Sequence, residues 1–420
     1  MKTGYQGLLL LFVFFAALII PAVSGLSGNA SFCVIQRGPL LSNMTTGSVT
    51  VTWWTEQPCT GSVTYGETGQ QVNKQPDRIV TEEKPSRIHR IVLTNLTPDQ
   101  TYSYLVSGTT DRYSFRTFPE NGTIRFVVYG DTREQLPWWN QSTHHALVAG
   151  RIAAEPDILF VVHTGDLVND PEDTEEWDRF FAAAEPMLNH IPFYPVAGNH
   201  EQDSGVLQEI FGVPPWYVIR AGDVRVVILD SNPLYPNMTA AQDSFVAGNP
   251  AQGGTMTFVA LHHPLYSADP NHPGGFQDIR ERWEPVFRKW DVSAVFAGHV
   301  HAYEHTEQHG IHYLTVATGG APSYSLSPDK PEGYVTGLEN TLGYAVVTVD
   351  PVRNGTVIQY REGARVEGRE IVIYKSPKIM EMVIIKDNKS SGLQASWWPV
   401  PNYLKVSQVF LPWLRGAEEV

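Results

Sequence analysis

Five short stretches of this chain each end an apolar run with side chains that bind metals. They are GDTR at Asp131, GDLVND at Asp166, GNHE at Asn199 and His200, LHHP at His262, and GHVH at His299 and His301. The runs IRFVVY, DILFVVHT, IPFYPVA, MTFVAL and VSAVFA that lead into them read as buried strands. Strand ends in a layered sheet converge on one edge, so residues as distant in sequence as Asp131 and His301 can meet at one site. Asp, Asn and His together can hold two hard-to-borderline divalent or trivalent ions, and a site without Cys is not of the zinc-finger type. The pattern predicts catalytic metal chemistry.

The chain of 420 residues has room for two domains and a large core. A net charge of -14 argues against nucleic acid as a partner, because polyanion binding needs a basic face. It leaves a phosphate substrate open, since bound cations reverse the field inside a pocket. Residues 1–25 have the outline of a secretory signal peptide: Lys2, an apolar stretch from Leu8 to Ile20, and the small-residue exit Pro21-Ala22-Val23-Ser24-Gly25. Thirteen apolar residues are short for a membrane span, so the mature chain is expected to carry none; an uncleaved N-terminal anchor is the alternative. The protein is therefore expected to be secreted or otherwise extracytoplasmic. Cys33 and Cys59 are the only cysteines, and the alternatives for them are a structural disulfide or two buried thiols. Sequons at Asn29, Asn43, Asn95, Asn121, Asn140, Asn237, Asn354 and Asn388 are glycan acceptors only in a host that glycosylates its exported proteins.

Residues 29–118 read as all-β, with GSVTVTWWTE and TGSVTYG alternating apolar with polar or Thr positions. LTNLTPDQTYSYLV resembles the strand–turn–strand of a fibronectin type III domain, with Tyr102 or Tyr104 as its tyrosine corner. Trp53-Trp54 is expected in the core and an interface rather than as a ligand platform. A Pro/Gly/Asn linker at Thr117–Gly122 opens a second domain, 120–375, where strands alternate with helical patterns in HHALVAGRIAAEP, TEEWDRFFAAAEPML and RERWEPVFRKW. That alternation implies a layered α/β fold. Residues 376–420 form an extension without an assigned role, although IMEMVIIKD is β-like.

Each ligand type has a job. A carboxylate that bridges two cations holds them about 3.5–4 Å apart. Asn199 offers a neutral oxygen that preserves Lewis acidity, and His262, His299 and His301 offer imidazoles. His200 is placed to protonate a leaving group or hold a phosphoryl oxygen, with Glu201 or a backbone carbonyl fixing its tautomer. His144 and His145 are expected in surface or packing roles, and His163 in buried structure. His305 is near enough in sequence to support the ligands from behind; His309 and His312 have no such role, and Thr318-Gly319-Gly320-Ala321 could line the pocket.

The order GD…GD…GNHE…HHP…GHVH resembles the calcineurin-like metallophosphoesterase superfamily, and GHVHAYEH, HHPLYS and the preceding fibronectin-like domain resemble its purple acid phosphatase branch. The resemblance covers residues 30 to 375. It implies an N-terminal β-sandwich followed by an α/β four-layer metallophosphoesterase sandwich, whose two metals supply the hydroxide that hydrolyses phosphate esters. Residue by residue, it implies that Asp131, Asp166 and His301 hold the first metal and that Asp166, Asn199, His262 and His299 hold the second. His200 corresponds to the substrate-contacting His, and His272 in PNHP to another on the substrate side.

Two positions depart from the family. The Tyr that gives purple phosphatases their colour is expected three residues after the second Asp, where Asn169 stands. Other members carry a His two residues after the first Asp, where Arg133 stands. Either Asn169 caps a loop and Arg133 points outward, or Arg133 enters the site and binds the substrate phosphate in bidentate fashion. The resulting expectation is an exported phosphoesterase with two ions of iron, manganese or zinc and phosphomonoesters favoured. The alternatives are a phosphodiesterase of the same fold and a non-catalytic extracellular binding protein with a degenerate metal site.

Overall fold

A computed structural model describes residues 33–386 apart from 69–76, 136–140, 202–204, 233–235, 251–254 and 354, together with a short strand at Val406–Ser407. The signal-like segment and most of the C-terminal extension lie outside the described residues. Among the described residues no helix is long and apolar enough to cross a membrane.

The N-terminal part is a pair of antiparallel sheets. Ile35–Ser42, Val49–Cys59 and Ser86–Leu93 form one, and Arg78–Thr81, Ser62–Glu67, Thr101–Val106 and Tyr113–Arg116 form the other. Strict alternation produces one buried face: along Thr101–Val106 the residues Tyr102, Tyr104 and Val106 are buried and those between them half-buried. The tyrosine corner is Tyr102, whose hydroxyl accepts the Thr97 N–H at 2.9 Å, whereas the Tyr104 hydroxyl donates to the Asn189 carbonyl at 2.8 Å. Cys33 and Cys59 form a disulfide. Trp53 is buried against His89 at 4.6 Å, and Trp54 packs on Phe181 of the helix Thr174–Leu188 at 5.1 Å.

The remainder stacks helix, sheet, sheet and helix. The first seven-stranded sheet runs Phe193–Pro195, Phe160–His163, Ile124–Tyr129, Thr341–Asp350, Gly355–Glu367, Glu370–Lys386 and Val406–Ser407. The second runs Tyr217–Ala221, Val224–Ile228, Met256–Ala260, Val292–Ala297, Ile311–Val316, Tyr303–Gln308 and Tyr334–Leu338. Buried strands serve two cores at once, which is why their sequences are continuously apolar. In Ile124–Tyr129, Phe126 and Val128 join the core between the sheets, where Phe126 meets Phe258 at 5.5 Å. Val127 and Tyr129 face the other way, into a core shared with Val148 and Ile152 of the helix Gln141–Ala153 and with Trp177 and Phe180. Val259, Val295 and Tyr313 of the second sheet likewise pack on Ile279, Trp283 and Phe287 of the helix Gln277–Lys289.

The inter-sheet core is continuous with that of the N-terminal sheets, through contacts such as Phe118–Phe160 at 5.6 Å. The described residues from Cys33 onward accordingly form one compact unit. The strand Glu370–Lys386 runs through residue 375, so residues 376–386 complete the first sheet and are not the start of a separate extension.

Strands Ile124–Tyr129, Phe160–His163 and Phe193–Pro195 are mutually parallel, as are Val224–Ile228, Met256–Ala260 and Val292–Ala297. Parallel strands end on one edge, and ligand sites in such sheets form beyond the carboxyl ends. All five motifs lie there.

Candidate metal centre

In three of the ligand loops the ligand itself takes an unusual backbone conformation at the turn out of the strand. Asp131, Asp166 and His299 have positive φ of 59°, 55° and 70°, a region that costs non-glycine residues energy and persists where surrounding structure enforces it. The glycines before them serve mainly to admit neighbouring loops. A Cβ on Gly298 would lie 2.6 Å from Asp131 Oδ2, and one on Gly198 would lie 2.3 Å from both the amide nitrogen and Oδ1 of Asp166. The Asp131 and His299 loops are joined by the His299 N–H donating to Asp131 Oδ1 at 2.9 Å.

The expected ligands converge in two groups that share Asp166. Donor atoms of Asp131, Asp166 and His301 lie within 4.8 Å of one another. On the other side Asn199 Oδ1 is 2.9 Å from His262 Nε2 and 2.8 Å from His299 Nδ1, and these two nitrogens are 3.3 Å apart. His262 Nε2 stands 3.4 Å from Asp166 Oδ1. His262 Nδ1–H donates to the Thr164 carbonyl at 2.8 Å and His301 Nδ1–H to the Pro322 carbonyl at 2.7 Å. Their Nε2 atoms therefore present lone pairs to the site.

These residues fit a pair of metal ions. Asn199 Oδ1 and the His262 Nε2 lone pair both face His299 Nδ1, which offers at most one proton to the pair, and Asp131 Oδ2 is buried without a hydrogen-bond partner among the described residues. Ligands about 2.1 Å from a common ion and at right angles would sit about 3.0 Å apart, which is the spacing of the Asn199–His262–His299 triangle. Charge points the same way. Burial opposes ionisation of Asp166, yet His262, His200 and Arg133 hold its carboxyl below the ordinary value. Burial alone would lower His262, but Asp166 and Asp131 raise it, while burial and the neighbouring His262 push His299 down to about 3. The carboxylates call for positive charge that the imidazoles cannot all supply as protons.

His263, which the sequence reading passed over, lies within 4.8 Å of the donor atoms of His262 and His299. Ser231 Oγ accepts the N–H groups of both His262 and His263, at 3.2 and 3.0 Å, so its own proton is free to go to His263 Nδ1 at 2.9 Å. That assignment leaves His263 with Nε2–H, a donor and not a metal ligand.

A frame of polar contacts fixes the loops. Glu201 is buried and accepts N–H groups from Asp166 at 2.9 Å, Leu167 at 2.8 Å and Gly198 at 2.8 Å. Burial and the Asp166 charge push its carboxyl up to about 7, and cations in the site would favour its ionised form. The His200 tautomer is set by the Asn169 carbonyl, 2.8 Å from Nδ1, and not by Glu201. Asn232 donates to the Gly198 carbonyl at 3.0 Å. His163, as expected of buried structure, accepts from the Gly165 N–H at 3.3 Å and meets Thr132 Oγ1 at 3.2 Å. His145 packs inside and bonds to the Tyr129 hydroxyl at 3.1 Å. The glycine turn is tied to the first ligand loop, with Gly319 donating to the Gly130 carbonyl at 2.7 Å and Ala321 to the Asp131 carbonyl at 2.8 Å. His305 instead pairs with Glu381 at 2.8 Å and His312 at 3.0 Å, deep between the sheets.

His200 Nε2 lies 3.9 Å from Asp166 Oδ2. His272 sits at the rim, 5.7 Å from the His299 ring, with Asp269 holding its Nδ1 at 2.8 Å. Arg133 does not point outward: its side chain is 11% exposed and its Nε lies 3.7 Å from Asp166 Oδ2. Asn169 Oδ1 is 3.5 Å from Arg133 Nη1. Tyr324, also missed in the sequence, stacks on His301 at 4.1 Å, and its hydroxyl is 3.4 Å from Arg133 Nη2. The one sequence cue to it was its place just after the glycine turn.

Residues 124–303 match the calcineurin-like phosphoesterase family, and residues 38–117 match the purple acid phosphatase N-terminal domain. The chain is 26% identical to purple acid phosphatase 22 of Arabidopsis thaliana, over 59% of this chain and 62% of that relative. It is 24% identical to the Fe(3+)-Zn(2+) purple acid phosphatase 12 of the same plant, over 62% of each. The matches thus span less than two thirds of these relatives' length. Purple acid phosphatase PPD1 from yellow lupin (Lupinus luteus) seeds shares the fold, with a TM-score of 0.65 at 19% identity, over 77% of this chain and 71% of that one.

Proposed function

We propose that this chain, which joins a purple acid phosphatase N-terminal domain to a calcineurin-like phosphoesterase domain, is an exported hydrolase of phosphate esters that favours monoesters. One observation carries the reading: six metal-binding side chains from five strand ends meet around Asp166, with a carboxylate oxygen of Asp131 buried and unpaired. Asp131, Asp166 and His301 would hold one ion, and Asp166, Asn199, His262 and His299 a second, drawn from iron, manganese or zinc. Ions bound there would supply Lewis acidity, activating water and neutralising phosphoryl charge.

The chain's own residues do the rest. His200, fixed through Nδ1 by the Asn169 carbonyl, keeps Nε2 toward Asp166 and can carry a proton to the leaving oxygen. His272, held by Asp269, faces the opposite rim and can hold the ester side of a substrate. Glu201 and His163 keep the loops from drifting, which sustains the spacing that phosphoryl transfer requires. The Cys33–Cys59 disulfide and the signal-like N-terminus support export.

The test is metal analysis of the purified protein alongside hydrolysis of a chromogenic monoester and a chromogenic diester. Two bound ions and faster monoester cleavage, abolished by Asp166→Ala, are expected. Activity that survives Asp166→Ala would refute the site, and inactivity with every added ion would leave a binding protein.

A further inference from the structure

We propose that Arg133 binds the phosphoryl group of the substrate, as a fixed cation on the first-metal side, and that Tyr324 positions it. The assignment rests on the phosphoester reading above and adds to it a charge requirement on the substrate.

Three observations converge. Arg133 Nε is buried and has no hydrogen-bond partner among the described residues, although it faces the site. A buried guanidinium N–H without an acceptor is unfavourable unless a ligand supplies one. Asp166 Oδ2 does not fill that role: at 3.7 Å it is beyond hydrogen-bond reach of Arg133 Nε, and at 3.9 Å beyond that of His200 Nε2. The Arg133 Nε–H thus faces an oxygen that it does not bond, which leaves it for a group arriving between the Arg133 and His200 loops.

The guanidinium head is steered without being saturated. Nη1 reaches Asn169 Oδ1 at 3.5 Å and Nη2 reaches the Tyr324 hydroxyl at 3.4 Å, both at the long limit. Tyr324 is itself fixed, with its ring stacked 4.1 Å from that of His301 and its N–H donating to the His301 carbonyl at 3.0 Å. The two loops beneath are pinned to one helix, Thr174–Leu188: Glu134 pairs with Arg179, and Glu176 accepts the Asn169 and Asp170 N–H groups at 2.6 and 3.0 Å. Arg133 is therefore pre-organised.

Charge supplies the ligand's identity. A guanidinium beside a centre built for two cations is repelled by them unless an anion spans the gap. A phosphoryl group answers both needs, because the planar fork matches two of its non-bridging oxygens. A dianionic monoester answers more strongly than a monoanionic diester.

The experiment uses full-length protein carrying its metals and inorganic phosphate as the probe, with binding measured by calorimetry. Arg133→Met should weaken phosphate binding about 30- to 100-fold and Arg133→Lys about 10-fold, with metal content unchanged. Monoester kcat/KM should fall by more than diester kcat/KM. Tyr324→Phe should weaken phosphate binding about 3- to 10-fold in the wild-type background and not at all beside Arg133→Met, a coupling that a merely structural role would not produce. Unchanged affinity in Arg133→Met would overturn the assignment, as would a loss of affinity that tracks a loss of metal. A visible tyrosinate band that disappears in Tyr324→Phe would make Tyr324 a metal ligand and overturn its role here. Wild-type protein that binds phosphate through Arg133 but cleaves neither ester would remove the hydrolase reading and keep this assignment.

Discussion

Glu201→Gln is a nearly isosteric change that separates loop support from catalysis. One carboxylate oxygen of Glu201 accepts from Asp166 and Gly198, at 2.9 and 2.8 Å, and the other from Leu167 and Val168, at 2.8 and 3.4 Å. An amide has one accepting oxygen, so whichever way the new side chain turns, two N–H groups meet an NH2. Each buried N–H that loses its acceptor costs about 1–3 kcal/mol, so the fold should lose about 2–6 kcal/mol. The same turn carries Asp166 and abuts Asn199, and loss of such support behind ligands typically costs about 10- to 100-fold in metal affinity. Denaturant unfolding of the metal-free protein gives the first quantity, and metal titration against a competing chelator gives the second. A stability loss below about 1 kcal/mol with unchanged metal affinity would refute the claim that Glu201 holds these loops.

Gly298→Ala should abolish metal loading while leaving a folded protein, because its Cβ would stand 2.6 Å from Asp131 Oδ2 and 2.8 Å from the Thr164 carbonyl oxygen; emission spectroscopy on the purified variant checks this. Acid stability should respond to His312. Burial and His305 push it down to about 3, with Glu381 as a weaker opposing influence. The folded state keeps His312 neutral while the unfolded chain binds a proton below about pH 6.5, so stability falls as pH drops from there towards 3. His312→Gln should flatten that fall by about 1.4 kcal/mol per pH unit, read from denaturant midpoints between about pH 6.5 and 4.5; an unaltered slope would contradict it.

The candidate ligands were legible in the sequence because a local rule exposes them: an apolar strand, in most cases a glycine that clears space, then a polar side chain. Asp131, Asp166, Asn199, His262, His299 and His301 all stand just beyond such strands, and the structure gathers them at one edge. A layered α/β fold was legible from strand–helix alternation, and its four-layer order from the resemblance to the metallophosphoesterases. What escaped depends on tertiary approach. Tyr324 reaches Arg133 only because the loop after Ile311–Val316 folds over His301, and nothing in PSYSL announces that. Of the two partners considered for His200, Glu201 or a backbone carbonyl, the Asn169 carbonyl takes the role, while Glu201 turns beneath the loop to collect amides. His305 follows GHVH closely, but the strand Tyr303–Gln308 carries it inward to Glu381. The Thr117–Gly122 linker was legible because Pro, Gly and Asn favour turns, but the apolar contacts across it, Phe118 on Phe160 among them, show only in space.

That uninterrupted core has a consequence for how the molecule is inherited and handled. The N-terminal sheets lend the phosphoesterase part a wall: Tyr104 bonds Asn189, Trp54 covers Phe181, and the Tyr194 hydroxyl receives the Met44 N–H at 2.9 Å. A gene fragment cut at the linker would expose an oily flank on each half, so each part is expected to be less soluble alone than joined. Substitutions on one side of this wall should be felt on the other.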